Sequence, residues 1–365
     1  MAWRIEKRSA SFARSPAWVF PASLAIAVAA GAGIFVALGV NPLMAYGTML
    51  KGAAGSLYSV SEVIVRAIPL MLTGLAVALA ATMLLWNIGC EGQLVWGGIL
   101  AAGTGLYLAP HLPPFLVLPA VIAAGAVGGA LWGLIPGLLK AYLAVNEILS
   151  SLLLNYIAII VMEHLYFGPW RNPEGYGFPG TAQIAEAARI PHYFGTRIHL
   201  GLLLAIVLAV VIYGALRLTR WGYRVRAIGL NPQAARYAGF NIRGQIVGIM
   251  LLSGALAGLA GMAEVSGIHY RLQQGLAVGY GYDGIIVAWL ARLNPLAVPF
   301  VALLLGFLIV GGEQLQSVLH LPSSISVVLE AVLLFGLLLS ESLARYRLVR
   351  SETGGTMPAA GEEKA

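Results

Sequence analysis

The stretch RAIGLNPQAARYAGFNI, residues 226–242, is a polar interruption between two long apolar runs. Asn231 can cap the first amides of a helix, Pro232 fits the first helical position, and Gly239 suits a left-handed stop. These signals predict a helix of about two turns over residues 232–238, which is too short to be stable alone in water. The helix therefore needs a surface to rest on.

Two kinds of surface suit this short helix. An interfacial helix rests its apolar face on lipid headgroups. The small side chains of Ala234, Ala235 and Ala238 give little membrane affinity, and they suit insertion into a protein groove instead. These residues by themselves leave both interpretations open.

The composition of the whole chain indicates a membrane protein. Of its 365 residues, 59% are hydrophobic and only 10% are charged, whereas a soluble protein carries about 25% charged residues. The fold class predicted is therefore all-α, a polytopic helical membrane protein. The net charge of +7 does not indicate a nucleic-acid partner, and the single cysteine, Cys90, excludes an internal disulfide.

Glycine is abundant, with 45 residues. In membrane helices, small residues let two backbones approach closely. The runs GAVGGALWG at 125–133 and SGALAGLAG at 253–261 are therefore predicted to be helix-packing faces.

Apolar stretches of about 17 to 25 residues can cross a bilayer, and the sequence predicts about ten of them. The eighth stretch is too short to cross alone, so it is either a half-helix or part of a longer element. The predicted spans are 18–40, 63–85, 92–109, 115–139, 146–167, 200–216, 245–268, 281–292, 297–312 and 324–343.

The distribution of Lys and Arg sets the orientation, because cytoplasmic loops carry most of these residues. We expect a cytoplasmic N-terminal segment 1–17, a transmembrane domain 18–343, and a cytoplasmic tail 344–365 without fixed structure. Loop 168–199 then lies outside, and loop 217–244 lies inside. Of the 22 Lys and Arg, those that fall outside are Lys51, Arg66, Arg171, Arg189, Arg197 and Arg271.

Two glycine-rich helix starts carry acidic residues. In WNIGCEGQLVWGG, residues 86–98, the polar side chains indicate either a solvated turn or a broken helix beside a substrate pathway. GYGYDGIIVAWLARLNP, residues 279–295, places glycines and Asp283 before the short eighth span in the same way. On the predicted topology the two starts come from opposite faces, which indicates an inverted repeat.

Other polar residues lie within predicted spans. In AVNEILSSLLLNYIA, residues 144–158, Asn146 can cap the fifth span, and Asn155 suits either a helix–helix hydrogen bond or a substrate contact. Glu264 and Glu330 are isolated membrane acids and hence functional candidates by default.

Signatures of catalysis are missing from the sequence. None of the lysines, which are Lys7, Lys51, Lys140 and Lys364, is followed by Ser or Thr, so the chain has no phosphate-binding P-loop. It has no cysteine–histidine metal spacing and no nucleophile motif. We expect no cofactor, no metal and no ATP site, and therefore no enzymatic activity in this chain itself.

Four motifs together resemble a known family. NIGCEGQ (87–93), NEILSSLLLNYIA (146–158), RAIGLNPQAARYAGFNI (226–242) and GYDGIIVAWLARLNP (281–295) are similar to the permease subunits of bacterial ABC importers. The branch is the one that serves simple sugars, branched-chain amino acids and nucleosides. The outer loop resembles the nucleoside importers, in which two different permeases pair, and this chain is similar to the longer partner.

The resemblance implies a set of partners. They are a cytoplasmic ATPase subunit, a second permease chain, an extracytoplasmic substrate-binding protein and the lipid of the bacterial inner membrane. It also implies that the short helix is a coupling helix that inserts into the ATPase. The matching positions are Arg226, Gly229, Asn231, Pro232, Ala234, Ala235, Tyr237 and Gly239.

The same carry-over implies a substrate pathway lined by the two glycine-rich helix starts and the polar residues of the fifth span. Aromatic residues Trp86, Trp96, Tyr280 and Tyr282 are candidates for stacking on a nucleobase. The pathway residues expected are Asn87, Glu91, Gln93, Asn146, Asn155, Tyr282 and Asp283.

The sequence therefore predicts the permease subunit of an ATP-driven nucleoside importer that works by alternating access. The same machinery for a simple sugar is an alternative, because sugars also stack on aromatic rings. A proton-coupled secondary transporter that uses Glu264, Asp283 or Glu330 as proton carriers is an alternative from another class.

Overall fold

The chain divides into two compact units, residues 46–326 and residues 1–45 together with 327–365. Each is described by itself. The computed structural model describes residues 2–7, 19–193, 195–322 and 324–351.

Helices dominate the described residues, as the long apolar runs predict. Two helices continue into short π-helical turns, α4 through Thr104–Leu108 and α10 through Val265–His269. The helices are α1 Val19–Ala37, α2 Pro42–Ala54, α3 Leu57–Ala81, α4 Cys90–Gly103, α5 Pro114–Leu143, α6 Glu147–Phe167, α7 Gly201–Leu218, α8 Arg220–Leu230, α9 Pro232–Tyr237, α10 Ile242–Glu264, α11 Tyr280–Leu290, α12 Val298–Leu319 and α13 Ile325–Arg345.

The number of membrane spans is smaller than the ten that the sequence predicts. Within the described residues, six helices are long and apolar enough to cross a membrane, or seven if α1 and α2 form one bent span. The predicted spans 92–109 and 281–292 correspond to α4, with 14 residues followed by a π-helical turn of 5, and to α11, with 11 residues; neither is among the six. At 1.5 Å per residue α11 measures about 16 Å, less than the roughly 30 Å of hydrocarbon. The six are α3, α5, α6, α7, α10 with its π-helical turn, and α12.

The unit that contains both chain ends packs α1 against α13. A Cβ on Gly336 would lie 2.8 Å from the backbone oxygen of Ser23, so the two helices touch there. A strand β1, Ala2–Lys7, pairs antiparallel with β2, Tyr346–Ser351. The sequence analysis predicted no fixed structure from residue 344 onward, and β2 corrects that prediction for residues 346–351. Residues 8–18 and 352–365 lie outside the described part of the chain.

In the larger unit, glycines let α5 and α10 cross closely. A Cβ on Gly258 would lie 2.8 Å from the Cα of Gly129, and one on Gly133 would lie 2.7 Å from the backbone oxygen of Met250. A Cβ on Gly261 would overlap the backbone of Leu94 in α4. The two glycine-rich runs are therefore helix-packing faces, and this prediction is confirmed.

Helix α3 is buried along most of its length and organises the rest of this unit. It packs against α10, α11 and α12. Gly306 of α12 and Gly284 of α11 face it, because a Cβ on either would come within 2.7 Å of Val63 or Thr73. This brings the short helix α11 against the middle of a spanning helix.

The loop 168–199 is tied to the end of α10 by backbone hydrogen bonds. Thr181 donates its N–H to the oxygen of Leu272 at 2.9 Å, and Ile190 donates to the oxygen of Ser266 at 2.9 Å. These bonds make the loop a cap on that side of the unit.

A buried histidine anchors the end of this cap. The ring of His199 lies between Gly201 and Gly267, where a Cβ on either glycine would come within 2.9 Å of the ring. Gly201 donates its N–H to His199 Nδ1 at 3.2 Å, and Nε2 has no hydrogen-bond partner within the described part of the chain. Burial, with smaller contributions from His192 and Arg197, lowers the pKa of His199 from 6.5 to about 4.

Candidate translocation site and docking helix

The two short helices meet end to end in the interior of the larger unit. A Cβ on Gly281, in the first turn of α11, would lie 2.5 Å from the Cα of Glu91, in the first turn of α4. The Glu91 carboxylate accepts the N–H of Gly279 at 2.9 Å and that of Gly281 at 2.6 Å. The first amides of a helix have no partner within that helix and carry a partial positive charge. Glu91 therefore caps α11.

This junction lies at the middle of three spanning helices. Thr73 of α3 donates its hydroxyl to the backbone oxygen of Tyr280 at 2.9 Å. Ser253 of α10 and Asn155 of α6, each near the middle of its helix, contact the segment that opens α4. The two half-helices therefore start near mid-depth of the membrane-spanning bundle.

From the junction the half-helices run in opposite directions. The far end of α4 reaches the cap, where a Cβ on Gly103 would lie 2.9 Å from the Trp170 ring. The far end of α11 reaches the opposite side, where Trp289 stacks on Trp86 with ring centroids 5.3 Å apart. The predicted broken helices are confirmed by this arrangement. Both begin at the junction and run toward opposite sides, whereas the sequence predicted that they start from opposite faces.

Asn155 joins three helices at the junction. Its Oδ1 accepts the N–H of Gly92 at 2.9 Å, and its Nδ2 donates to the oxygen of Ile88 at 2.9 Å and to the Tyr282 hydroxyl at 3.1 Å. Of the two interpretations that the sequence allowed for Asn155, the structure shows the helix–helix hydrogen bond.

Asn87 and Gln93 form a second buried polar group. Their side-chain amides exchange two hydrogen bonds of 2.8 and 2.9 Å. Asn87 also donates to the hydroxyl of Ser253 at 2.7 Å, and Ser253 donates to the backbone oxygen of Ala76 at 2.7 Å. This chain of bonds ties the start of α4 to α10 and α3.

The structure brings six of the seven predicted pathway residues together, in two different environments. Asn87, Glu91, Gln93 and Asn155 are each no more than 1% exposed, and their polar atoms bond to protein. Tyr282 and Asp283 lie on the half-buried side of α11.

Asp283 and Asn146 differ from these buried residues. The Asp283 carboxylate has no hydrogen bond or ion pair within the described residues. Asn146 lies apart from the junction, at the start of α6, where its side chain accepts the N–H of Ile148 at 2.9 Å. Its capping role is therefore confirmed by this bond.

The four aromatic residues predicted to stack on a nucleobase fall into two groups. Trp96 stacks on Trp132 with ring centroids 4.7 Å apart, and the Tyr280 hydroxyl accepts a hydrogen bond from Arg66 at 3.0 Å. Tyr280 is buried, and Trp96 is half-buried with its ring against another tryptophan. Trp86 is 43% exposed and Tyr282 is half-buried, so these two can offer a ring to a ligand.

An ionic group between the junction and the cap was missed by sequence reasoning. Arg66 was assigned to the outer side of the membrane, near the start of the predicted span 63–85, and no partner was predicted for it. In the structure it lies within α3 and pairs with Glu313 at 2.8 Å. Arg197 pairs with Glu62 at 3.0 Å. The partners are 247 and 135 positions apart in the chain, so no local pattern could have predicted them.

Glu264 and Glu330, the two acids predicted to lie within spans, have different surroundings in the structure. The Glu264 carboxylate lies 3.5 Å from His269 Nε2, in a cavity of about 100 Å³ that Arg66 also lines. Glu330 of α13 is buried.

The opening stretch folds as predicted. The side chain of Asn231 accepts the N–H groups of Gln233 and Ala234 at 3.0 Å each. Helix α9 begins at Pro232, and the chain leaves it through Gly239 at a φ of +76°. The predicted helix over residues 232–238 is confirmed to within one residue, because Ala238 is the cap.

The faces of α9 differ from the sequence prediction at one position. Ala235 is only 4% exposed, so its methyl group packs inside this chain and is not part of a docking face. Tyr237 is 94% exposed, and Ala234 and Ala238 are exposed too. Burial of Ala235 fixes which side of the helix points outward, and sequence alone could not give that.

Helix α8 links α9 to the spanning helices. A Cβ on Gly229 would lie 3.2 Å from the Cα of Met83, so α8 rests directly on the end of α3. Arg226 has a buried Nη1 without a hydrogen-bond partner among the described residues. The end of α3 leads within a few residues to Trp86 and the start of α4.

Residues 59–339 match the family described as the branched-chain amino acid transport system / permease component, and the chain belongs to this family. It is the permease subunit of an ABC transporter.

Several relatives support this classification. A glucose ABC transporter permease protein of Haloferax volcanii is 36% identical over 91% of this chain and 91% of its own length. A guanosine ABC transporter permease protein of Bacillus subtilis is 34% identical over 86% and 90%. A nucleoside ABC transporter permease protein of Lactococcus lactis is 31% identical over 84% and 86%.

Proposed function

We propose that this chain is one of two membrane subunits of an importer that takes up nucleosides across the bacterial inner membrane. Loop 217–244 and both chain ends face the cytoplasm, and loop 168–199 faces outward. The distribution of Lys and Arg supports this orientation. Family membership removes the reason to assume a proton-coupled secondary transporter.

Helix α9 is the docking element for a cytoplasmic ATPase subunit, which carries out the hydrolysis that this chain cannot. The observation that carries this proposal is an exposed, capped helix of six residues, which is attached to the rest of the chain through the buried side chain of Ala235. Such a short helix is not stable by itself in water. An outward tyrosine flanked by exposed alanines is a small, rigid surface of the kind that fits a groove.

A route for the conformational signal follows from the contacts of α8. Movement of α9 displaces α8, and Gly229 transmits the displacement to the end of α3. The next residues along the chain lead to Trp86, which stacks on Trp289 at the end of α11. Binding of ATP can change access to the pathway only if the partner contacts differ between two states of this element.

We assign different roles to the predicted pathway residues. Asn87, Glu91, Gln93 and Asn155 hold the two half-helices together, because each is buried and bonded within the protein. Tyr282 and Asp283 face the pathway. A second permease chain, homologous to this one, closes the other side, and an extracytoplasmic binding protein delivers the substrate.

The chemistry of this face suits a nucleoside. Tyr282 and Trp86 offer aromatic surfaces to a base. Asp283 offers two free acceptor oxygens to base N–H groups or to the ribose hydroxyls. Relatives named for guanosine and nucleosides agree with this assignment.

A simple sugar is the second candidate substrate, because a relative named for glucose is 36% identical to this chain. Sugars also stack on aromatic rings and donate hydroxyl groups to carboxylates. The two candidates differ in whether a base is required for recognition.

The test is ATP-driven uptake by the complete transporter in proteoliposomes, measured with labelled guanosine in the absence and presence of excess unlabelled glucose, and separately with labelled glucose. We expect uptake that requires ATP and that glucose does not inhibit. Asp283→Asn should reduce uptake about tenfold, because a hydrogen bond to a charged group contributes about 1.5–3 kcal/mol. The matched control is Glu174→Gln, which removes an exposed acid from loop 168–199.

Three results would reject parts of this proposal. Uptake of glucose without uptake of guanosine would show that the substrate is a simple sugar and not a nucleoside. Normal guanosine uptake by Asp283→Asn would remove Asp283 from the pathway. Uptake that persists without ATP and collapses when the proton gradient is dissipated would reject the ATP-driven mechanism.

A further inference from the structure

A cavity of about 280 Å³ opens on the side of the cap that adjoins the ends of α4 and α6. Leu106 and Tyr107, from the π-helical turn that follows α4, form one wall. Trp170, Arg171 and Asn172, which directly follow α6, form the other. The cavity is separate from the half-helix junction, and no residue of the proposed pathway lines it.

The aromatic wall of this cavity is rigid. The rings of Tyr107 and Trp170 meet edge to face, with centroids 5.4 Å apart. Trp170 is wedged against the backbone of Gly103, where a Cβ would lie 2.9 Å from the ring. The cavity is thus preformed, which reduces the entropy lost when a ligand is bound.

Arg171 supplies a free positive charge. Its side chain is exposed and makes no hydrogen bond or ion pair within the described part of the chain. Its backbone is fixed by pairing with Thr181 and by a 3.1 Å hydrogen bond to the oxygen of Gly168. A guanidinium on a fixed stretch of backbone beside a cavity suits a phosphate group, because it can donate two parallel hydrogen bonds.

The depth of the cavity points to lipid. Spanning helix α6 ends at Phe167, three residues before Trp170, and tryptophan and tyrosine are enriched where the hydrocarbon meets the headgroups. Phe167 is exposed. It offers an apolar ring to acyl chains at the end of this spanning helix.

We propose that this cavity binds an anionic phospholipid from the leaflet on that side of the membrane. The phosphate pairs with Arg171, the glycerol region rests on Tyr107 and Trp170, and an acyl chain follows Phe167. An extracytoplasmic binding protein is the rival occupant, because Trp, Tyr and Arg are also common at protein interfaces. Phe167, exposed at the end of α6 and three residues before Trp170, favours the lipid.

The experiment measures retained lipid on the complete transporter, purified from nanodiscs that contain phosphatidylcholine and phosphatidylglycerol in a ratio of about 3:1, which keeps the anionic lipid in the minority. Native mass spectrometry counts the phosphatidylglycerol that remains bound. We compare the wild type with Arg171→Gln and Arg171→Lys. The matched control is Lys51→Gln, which removes another exposed cation predicted to lie on the same side.

We expect the wild type and Lys51→Gln to retain phosphatidylglycerol in preference to phosphatidylcholine. Arg171→Gln should lose at least about fivefold of this lipid, which corresponds to about 1 kcal/mol. Arg171→Lys should lose less, because it keeps the charge but not the two parallel hydrogen bonds. Equal retention by wild type and Arg171→Gln, or no preference for the anionic lipid, would overturn the proposal.

The rival occupant gives a different pattern. In nanodiscs of phosphatidylcholine alone, loss of ATPase stimulation by the binding protein in Arg171→Gln, with unchanged lipid retention in the mixed nanodiscs, would reject the lipid site. None of these measurements depends on which substrate is transported.

Discussion

The crossing of α5 and α10 can be tested by adding a single methyl group. In Gly258→Ala, the new Cβ would lie 2.8 Å from the Cα of Gly129 and would overlap the backbone of Gly125. Carbon atoms pack best at about 3.5–4.0 Å, so the helices would have to separate by about 1 Å. Overpacking of this kind costs about 1–3 kcal/mol.

A control on the same helix isolates that packing cost. A Cβ added to Gly248 of α10 would have no atom within 4 Å, so Gly248→Ala places its methyl group in open space. Both substitutions gain the same helix propensity of about 0.5–1 kcal/mol, and the difference in stability between them is therefore the cost of overpacking.

Thermal stability in mild detergent provides the assay. Heated samples are separated by fluorescence-detected size exclusion, and the remaining monodisperse peak gives a melting temperature. We expect Gly258→Ala to melt about 3–10 °C below Gly248→Ala, from about 2–4 °C per kcal/mol. Equal melting temperatures would refute the close glycine crossing.

Two further predictions concern buried polar groups. Asn155→Leu should lower stability by about 1–3 kcal/mol, because it leaves the buried N–H of Gly92 without its acceptor; an unchanged melting temperature in detergent would contradict the junction. The second prediction concerns His199, whose pKa is 6.5 in the unfolded chain and about 4 in the folded protein. Between these two pH values the unfolded chain binds a proton that the folded protein does not. Stability should therefore fall by about 3 kcal/mol as the pH falls through that window. His199→Phe, which cannot titrate, should lose this part of the pH dependence, and an unchanged pH profile would count against the buried neutral ring.

The sequence predicts features that depend on neighbouring residues. Asn231, Pro232 and Gly239 encode a start and a stop within nine residues, so α9 lies where those signals place it. The glycine runs on α5 and α10 predict packing faces because a close backbone approach needs residues without a Cβ. Two helix starts with acids and glycines likewise predict broken helices.

Features that depend on distant parts of the chain were not predictable in this way. The side of α9 that carries Ala235 is turned inward by tertiary packing, which no local pattern encodes. The partner of Arg66 lies in α12, 247 positions further along the chain, so no local pattern predicts the ion pair between them. The strand pair β1–β2 joins the two ends of the chain, and six residues at each end give no period that distinguishes them.

The half-helices account for two of the predicted spans that the structure lacks. Hydropathy detects apolar residues, and α4 and α11 are apolar, yet each begins near mid-depth, where Glu91 accepts the N–H groups of Gly279 and Gly281. Only the contact between the two helix starts shows that neither one crosses alone. The same contact separates the residues that hold the junction from Asp283, which has no protein partner among the described residues.

The central claim is that the outward face of α9 binds a cytoplasmic ATPase subunit. The most direct measurement is co-purification of that subunit in mild detergent with the wild type, Tyr237→Ala and Tyr176→Ala. Both tyrosines are almost fully exposed, one on α9 and one in loop 168–199 on the opposite side.

Truncation of a central aromatic contact costs about 2 kcal/mol or more, or at least about tenfold in affinity. The account predicts that the wild type and Tyr176→Ala retain the ATPase subunit and that Tyr237→Ala loses most of it. Equal retention by both variants, or a folded wild type that retains no ATPase subunit, would contradict the account.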